Sequence, residues 1–120
     1  MTTQDTCCTI VPYFRIDKGS QEIFRNLSNK LVEKSMNESG CFYYGFSFNG
    51  DQAHCREGYE NAAALLAHLE NVGPLLQEVL KYSGLLRLEI HGPEAELEKL
   101  RVPLADLNPQ FFTLECGFRR

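Results

Sequence analysis

Residues 41–59 read CFYYGFSFNGDQAHCREGY, and no other stretch restricts the fold as tightly. Phe42, Tyr44, Phe46 and Phe48 alternate with Cys41, Tyr43, Gly45 and Ser47, the period of two that a half-buried strand requires. Asn-Gly-Asp then supplies residues that tolerate the positive φ of a tight turn. A two-residue turn at Asn49–Gly50 sets Tyr44 opposite Cys55, Phe42 opposite Glu57 and Tyr43 opposite Arg56. Cross-strand partners share a face. Ala53, Cys55 and Glu57 therefore join the aromatic side, and His54 and Arg56 join the other. This places the Glu57 carboxyl on an apolar face, which is costly unless the group is paired or protonated.

The segments around the hairpin complete a pattern. Cys8, Ile10, Phe14 and Ile16 alternate with Val11, Tyr13 and Arg15 in a first strand, and Pro12, which cannot donate to a ladder, marks a bulge or an unpaired edge. Phe24, Leu27 and Leu31 recur at helical spacing after it. Beyond the hairpin, Ala62, Leu65, Leu66 and Leu69 form the stripe of a second helix, with His68 at its edge. Gly73–Pro74 reads as an interruption, with a new helix starting at Pro74. Leu86, Leu88 and Ile90 alternate with Arg87, Glu89 and His91 in a further strand. A short surface helix (PEAELEKLR) and a last strand (FFTLECGF) follow. The order β-α-β-β-α-β is that of a ferredoxin-like α+β domain, an antiparallel sheet with its two main helices on one face. One such domain accounts for residues 1–120.

The uncovered sheet face carries Val11, Tyr13, Tyr43, His54, Arg56, Arg87, Glu89 and His91. It has too many aromatics for a solvated surface and too many charges for a core, so a homodimer through this face is expected. A net charge of −4 argues against nucleic-acid partners, which require a basic surface. No window has the length and apolarity of a membrane span, and MTTQDTCC lacks the features of a leader. Five irregularly spaced cysteines and three scattered histidines give neither a disulfide framework nor a metal motif. A cytoplasmic location with reduced thiols is the expectation.

The run CFYYGF…CREGYENAAALLAHLENVGP resembles the antibiotic biosynthesis monooxygenase family, whose fold is the dimeric α+β barrel. The matching elements are an aromatic strand with a G-x-x-x-Y pattern (Gly40 to Tyr44), an acid and an aromatic ending the next strand (Glu57 and Tyr59), and a helix histidine (His68). The resemblance implies a monooxygenase without cofactor or metal, oxidising a small quinol-like or polyphenolic aromatic with O2. Such substrates activate O2 once deprotonated, so the protein supplies a base, hydrogen bonds and a dry pocket. His68 would be the base, Glu57 its partner, and Tyr44 or Tyr59 a hydrogen bond to the substrate oxygen. The pocket is expected to be lined by Phe42, Phe46 and Leu65. The chain has no tryptophan, unlike haem-degrading members, and Asn71-Val72-Gly73-Pro74 stands where many quinol-oxidising members carry a second histidine.

Each residue also has a plainer reading. His68 could be a boundary residue of its helix, and Glu57 could reach solvent or cap the helix that follows. Tyr44 and the phenylalanines could be core. The chain would then be a ligand-binding or structural dimer of the same fold.

Overall fold

The computed structural model describes residues 5–120; residues 1–4, part of the stretch read above for a leader, lie outside the described residues. The elements are β1 (Cys8–Ile16), α1 (Gln21–Ser35), β2 (Cys41–Asn49), β3 (Gln52–Tyr59), α2 (Ala62–Lys81), β4 (Ser83–Gly92), the one-turn α3 (Glu94–Leu97) and β5 (Gln110–Thr113). The sheet is open and five-stranded, in the order β2-β3-β1-β4-β5. The first four strands are antiparallel and ferredoxin-like. The last strand is short, and it runs parallel to β4 rather than continuing the alternation to Phe118.

The hairpin forms with its turn one residue later than the sequence suggests. Asn49 pairs with Gln52, so Gly50 and Asp51 are the central residues. Gly50 has φ 59°, and it occupies the first central position, where a type II′ turn requires glycine. Tyr44 consequently faces Glu57 and Phe46 faces Cys55. The register moves by two residues, so side-chain parity survives and Glu57 stays on the helix-covered face.

Two irregularities do change faces. The β2–β3 register shifts between Cys41 and Tyr43, which puts Phe42 on the helix-free side, 45% exposed under the Arg119 guanidinium. The β1–β4 register shifts between Tyr13 and Phe14, one residue beyond the proline that signalled it. Leu85 then faces Phe14, and Leu86 turns out of the core.

Helix α2 also corrects the sequence reading, because it runs through Pro74 without interruption. An internal proline removes one backbone bond and costs roughly 3 kcal/mol. Val72 and Val79, one on each side of it, are fully buried on the same face, and their burial offsets that cost. Asn61 caps the helix by accepting the Ala64 N–H at 2.9 Å, so Glu57 is not the cap. The core falls into two clusters. One is centred on Ile10, Leu65, Leu88, Ile90, Leu97 and Leu100, so the turn after α3 is packed inward rather than lying on the surface. The other is centred on Phe14, Phe24, Leu31, Val72 and Val79.

Candidate functional site

With α2 continuous, its buried stripe is Ala62, Leu65, His68, Val72 and Val79. His68 therefore lies on the stripe rather than at its edge, and it is only 1% exposed. Both of its ring nitrogens meet carboxyl groups. Nδ1 lies 2.9 Å and 3.0 Å from the two oxygens of Glu38. Nε2 lies 3.4 Å from Oε1 of Glu57. The ring is packed between Tyr44 and Tyr59, with centroids 5.2 Å and 4.9 Å away.

Glu57 reaches this point from β3, buried on the covered face. The Tyr59 hydroxyl donates to its Oε1 at 2.5 Å. Burial dominates the electrostatics of this carboxyl and pushes its pKa up to about 7; the Tyr59 and Cys55 hydrogen bonds pull against that rise, and the Glu38 charge adds to it. Burial also pushes the pKa of His68 down, opposed by Glu38. The Tyr44, Tyr59 and Cys55 pKa values are raised, chiefly by burial and next by the Glu57 charge. They are hydrogen-bonding partners rather than acids at neutral pH.

A cavity of about 340 Å³ opens beside this group, between α2 and the β1–β4 half of the sheet. Glu57 and His68 are on its wall, and the rest is almost wholly apolar: Ile10, Pro12, Phe14, Leu69, Leu76, Leu80, Leu85, Leu88, Leu104 and Leu107, with Gly73 and Gln77. Ile10, Leu88 and Leu104 belong to one core cluster and Phe14 to the other, so the cavity is the gap where the two packings meet. A carboxyl that titrates near neutrality and a neutral imidazole facing an apolar space can take up or deliver a proton at a bound molecule.

The structure thus brings His68, Glu57, Tyr44 and Tyr59 together. Tyr44 and Tyr59 lie behind the acid and the imidazole and do not line the cavity. Phe46 packs edge-on to Tyr44 and Phe24, and Leu65 is buried in the core; neither faces the space. Phe42 is on the opposite side of the sheet. Glu38 and Asn71 are additions. Asn71 donates to Glu38 at 2.8 Å, and Glu38 follows α1, thirty positions from its imidazole partner. Nothing local in "MNESG" signals that contact. Among the described residues no group of three or more His, Cys, Asp or Glu side chains is placed to hold a metal ion.

A ferredoxin-like α+β protein with a buried acid and imidazole at an apolar cavity is the class that fold and site define. The defining pattern of the antibiotic biosynthesis monooxygenases matches residues 8–73, and the chain belongs to that family. It is 46% identical to MupZ from Pseudomonas fluorescens, with a TM-score of 0.95 over 100% of this chain and 94% of that one. More distant likenesses show the shared fold. Rv0793 from Mycobacterium tuberculosis is 18% identical, with a TM-score of 0.65 over 72% of this chain and 94% of the other. A Nitrosomonas europaea protein assigned to the antibiotic biosynthesis monooxygenases is 16% identical, with a TM-score of 0.67 over 78% and 96%. No curated protein matches the chain.

Proposed function

We propose that the chain is a cofactor-independent monooxygenase in which His68 and Glu57 deprotonate a small quinol-like or polyphenolic substrate held in the cavity. The observation that carries this reading is the convergence of Nε2 and the Glu57 carboxyl on one apolar space. The substrate anion then passes electrons to O2 directly, and the water-poor wall protects the intermediates. A cavity of about 340 Å³ lies within the range that holds a small ligand. Tyr59 holds Glu57, and Tyr44 packs on His68, so both tune the pair rather than contacting substrate. The chain acts as a homodimer through the helix-free sheet face. Its free cysteines suit the reducing cytoplasm, and no described helix is long and apolar enough to cross a membrane.

A second reading is favoured by the wall itself. Phe14 is its single Phe, Tyr or Trp residue, against seven leucines. Such a surface fits an aliphatic substrate better than a flat ring, and a carboxyl with a pKa of about 7 serves as an acid as readily as a base. In that reading the pair moves protons at oxygens of an aliphatic molecule and O2 takes no part.

Oxygen uptake with a panel of hydroquinones separates the two. Turnover that consumes O2 and falls at least about a hundredfold in His68→Ala supports the monooxygenase. Turnover of aliphatic hydroxy or keto compounds without O2 uptake supports the second. Saturable binding with neither makes the chain a ligand-binding protein and overturns both.

A further inference from the structure

His68 separates two spaces of opposite character. Its Nε2 lies against Glu57, with which His68 shares the wall of the apolar cavity. Its Nδ1 faces Glu38, which lines a distinct polar cleft with Lys34, Ser39, Glu60 and Asn71. The imidazole itself is fully enclosed. The loop carrying Glu38 is held close to α2 at Gly40, where a Cβ would come within 2.7 Å of the Ala64 side chain. Glu38 is oriented a second time by Asn71, whose backbone carbonyl accepts from Lys34 at 2.9 Å.

An ionised carboxylate only accepts hydrogen bonds. Glu38 therefore keeps the proton of a neutral His68 on Nδ1 and leaves the Nε2 lone pair facing Glu57. The groups packed against the ring are Glu57 and Tyr59 from β3, Tyr44 from β2 and Glu38 itself, with Asn71 from α2 bonded to Glu38. Glu38 and Asn71 both line the polar cleft, and of the two it is Glu38 that is hydrogen-bonded to the ring. A ligand filling the apolar cavity would leave this as the wet side of the site.

We propose that Glu38 is a positioning residue and the water-side proton terminal of the site, fixing the tautomer of His68 and exchanging protons between the enclosed imidazole and water in the polar cleft. The proposal rests on the acid–base reading of His68 and Glu57 given above. A proton arriving at Nε2 makes an imidazolium. The Nδ1 proton passes to the Glu38 carboxylate and from there to water, leaving a neutral ring protonated on Nε2. The reverse sequence carries a proton inward. Each transfer breaks one N–H or O–H bond as another forms, and no electrons move.

The test uses ligand-free protein labelled with 15N-histidine. Long-range 1H–15N spectra near neutral pH are expected to show His68 protonated on Nδ1 and bare on Nε2. In Glu38→Ala this preference is lost to a mixture or reversed. In Glu38→Gln the amide oxygen still accepts from Nδ1, so the tautomer is retained. A carboxamide cannot relay a proton, so exchange of the ring N–H with water slows by at least about tenfold. A wild-type ring protonated on Nε2, or exchange unchanged in both variants, overturns the proposal. Amide spectra of each variant report whether it folds, and Glu38→Gln keeps the test decisive if Glu38→Ala does not. Absence of turnover on every substrate counts against the acid–base function alone, because these spectra need no substrate.

Discussion

Glu57 and His68 place opposite demands on the pH at which the fold is stable. The carboxyl has an ordinary value of 4.5 in the unfolded chain and about 7 in the fold. Below pH 4.5 it is protonated in both states and carries no differential cost. Between 4.5 and 7 the unfolded chain ionises first, so stability falls as pH rises. At about 1.4 kcal/mol per pKa unit the loss is on the order of 3 kcal/mol on the alkaline side. His68 has the reverse sign. Its folded pKa lies below 6.5, so its contribution is present above 6.5 and is lost as pH falls through the lowered value. Glu57→Gln keeps an oxygen for the Tyr59 hydroxyl and removes the ionisation. The variant is expected to melt higher than the parent at about pH 9 and close to it near pH 5, as measured by thermal denaturation followed by circular dichroism. Parallel melting curves across that range would show that Glu57 is not held protonated by the fold.

The elements were largely legible, and the departures have local causes. The aromatic alternation of β2 and the turn chemistry gave the hairpin, and a two-residue register change preserved which residues face the helices. Phe42 and Leu86 were misplaced because each sits beside a bulge, and a single extra residue reverses every side chain on one side of it. The edge position assigned to His68 followed from ending α2 at Gly73. Val72 and Val79 rotate the stripe onto the histidine once the helix continues through Pro74. Glu57 is legible because a charged residue on an apolar face stands out, whereas His68 is singled out by the family resemblance and not by its place on the helix. Glu38 is not legible, since a loop carboxylate carries no sign of a partner thirty residues away. Gly73 illustrates how this helix balances stability against its cavity. It lies mid-helix on the cavity wall, and a Cβ there would meet nothing within 4 Å apart from its own chain neighbours, Val72 and Pro74. Gly73→Ala gains about 0.5–1 kcal/mol of helix propensity, set against the crowding of its Cβ by the Pro74 ring that follows, so its stability is expected to stay within about 1 kcal/mol of the parent. Its methyl also intrudes on the cavity, so affinity for bound small molecules should fall. Urea unfolding and a ligand titration on the same variant check both directions. Unchanged affinity would mean that the methyl group does not reach the space.

At the scale of the whole molecule, the helix-free face is the feature left to be used. It exposes Phe42, Tyr43, Leu86 and Phe112. Among its charges, Glu89 already holds both Arg87 and His91, and Arg56 lies over the Tyr43 ring. A surface of aromatics with internally satisfied charges suits a second copy of the same chain, because the ion pairs need not be broken on contact. Wild-type protein is expected to sediment as a dimer at micromolar concentration. Arg87→Glu, which sets a second carboxylate beside Glu89, should shift it toward monomer. A monomeric wild type would remove the homodimer from the account.

The position of β2 has a further consequence. It is nine residues long and lies at the margin of the sheet, so one row of its backbone amides and carbonyls has no neighbouring strand. Its sequence, CFYYGFSFN, contains no charge and no proline, two of the devices by which natural margins deter templated growth. Folded, the segment is restrained by its twist, by α1 and by the guanidiniums of Arg25 and Arg119 lying over Phe48 and Phe42. Freed from those restraints, on the ribosome or during heating, it has the composition of a steric zipper. The stretch that most firmly dictates the fold therefore also has a composition able to seed amyloid when unfolded, and α1, packed on β2 through Phe24 against Phe46 and Phe48, is the element that withdraws it.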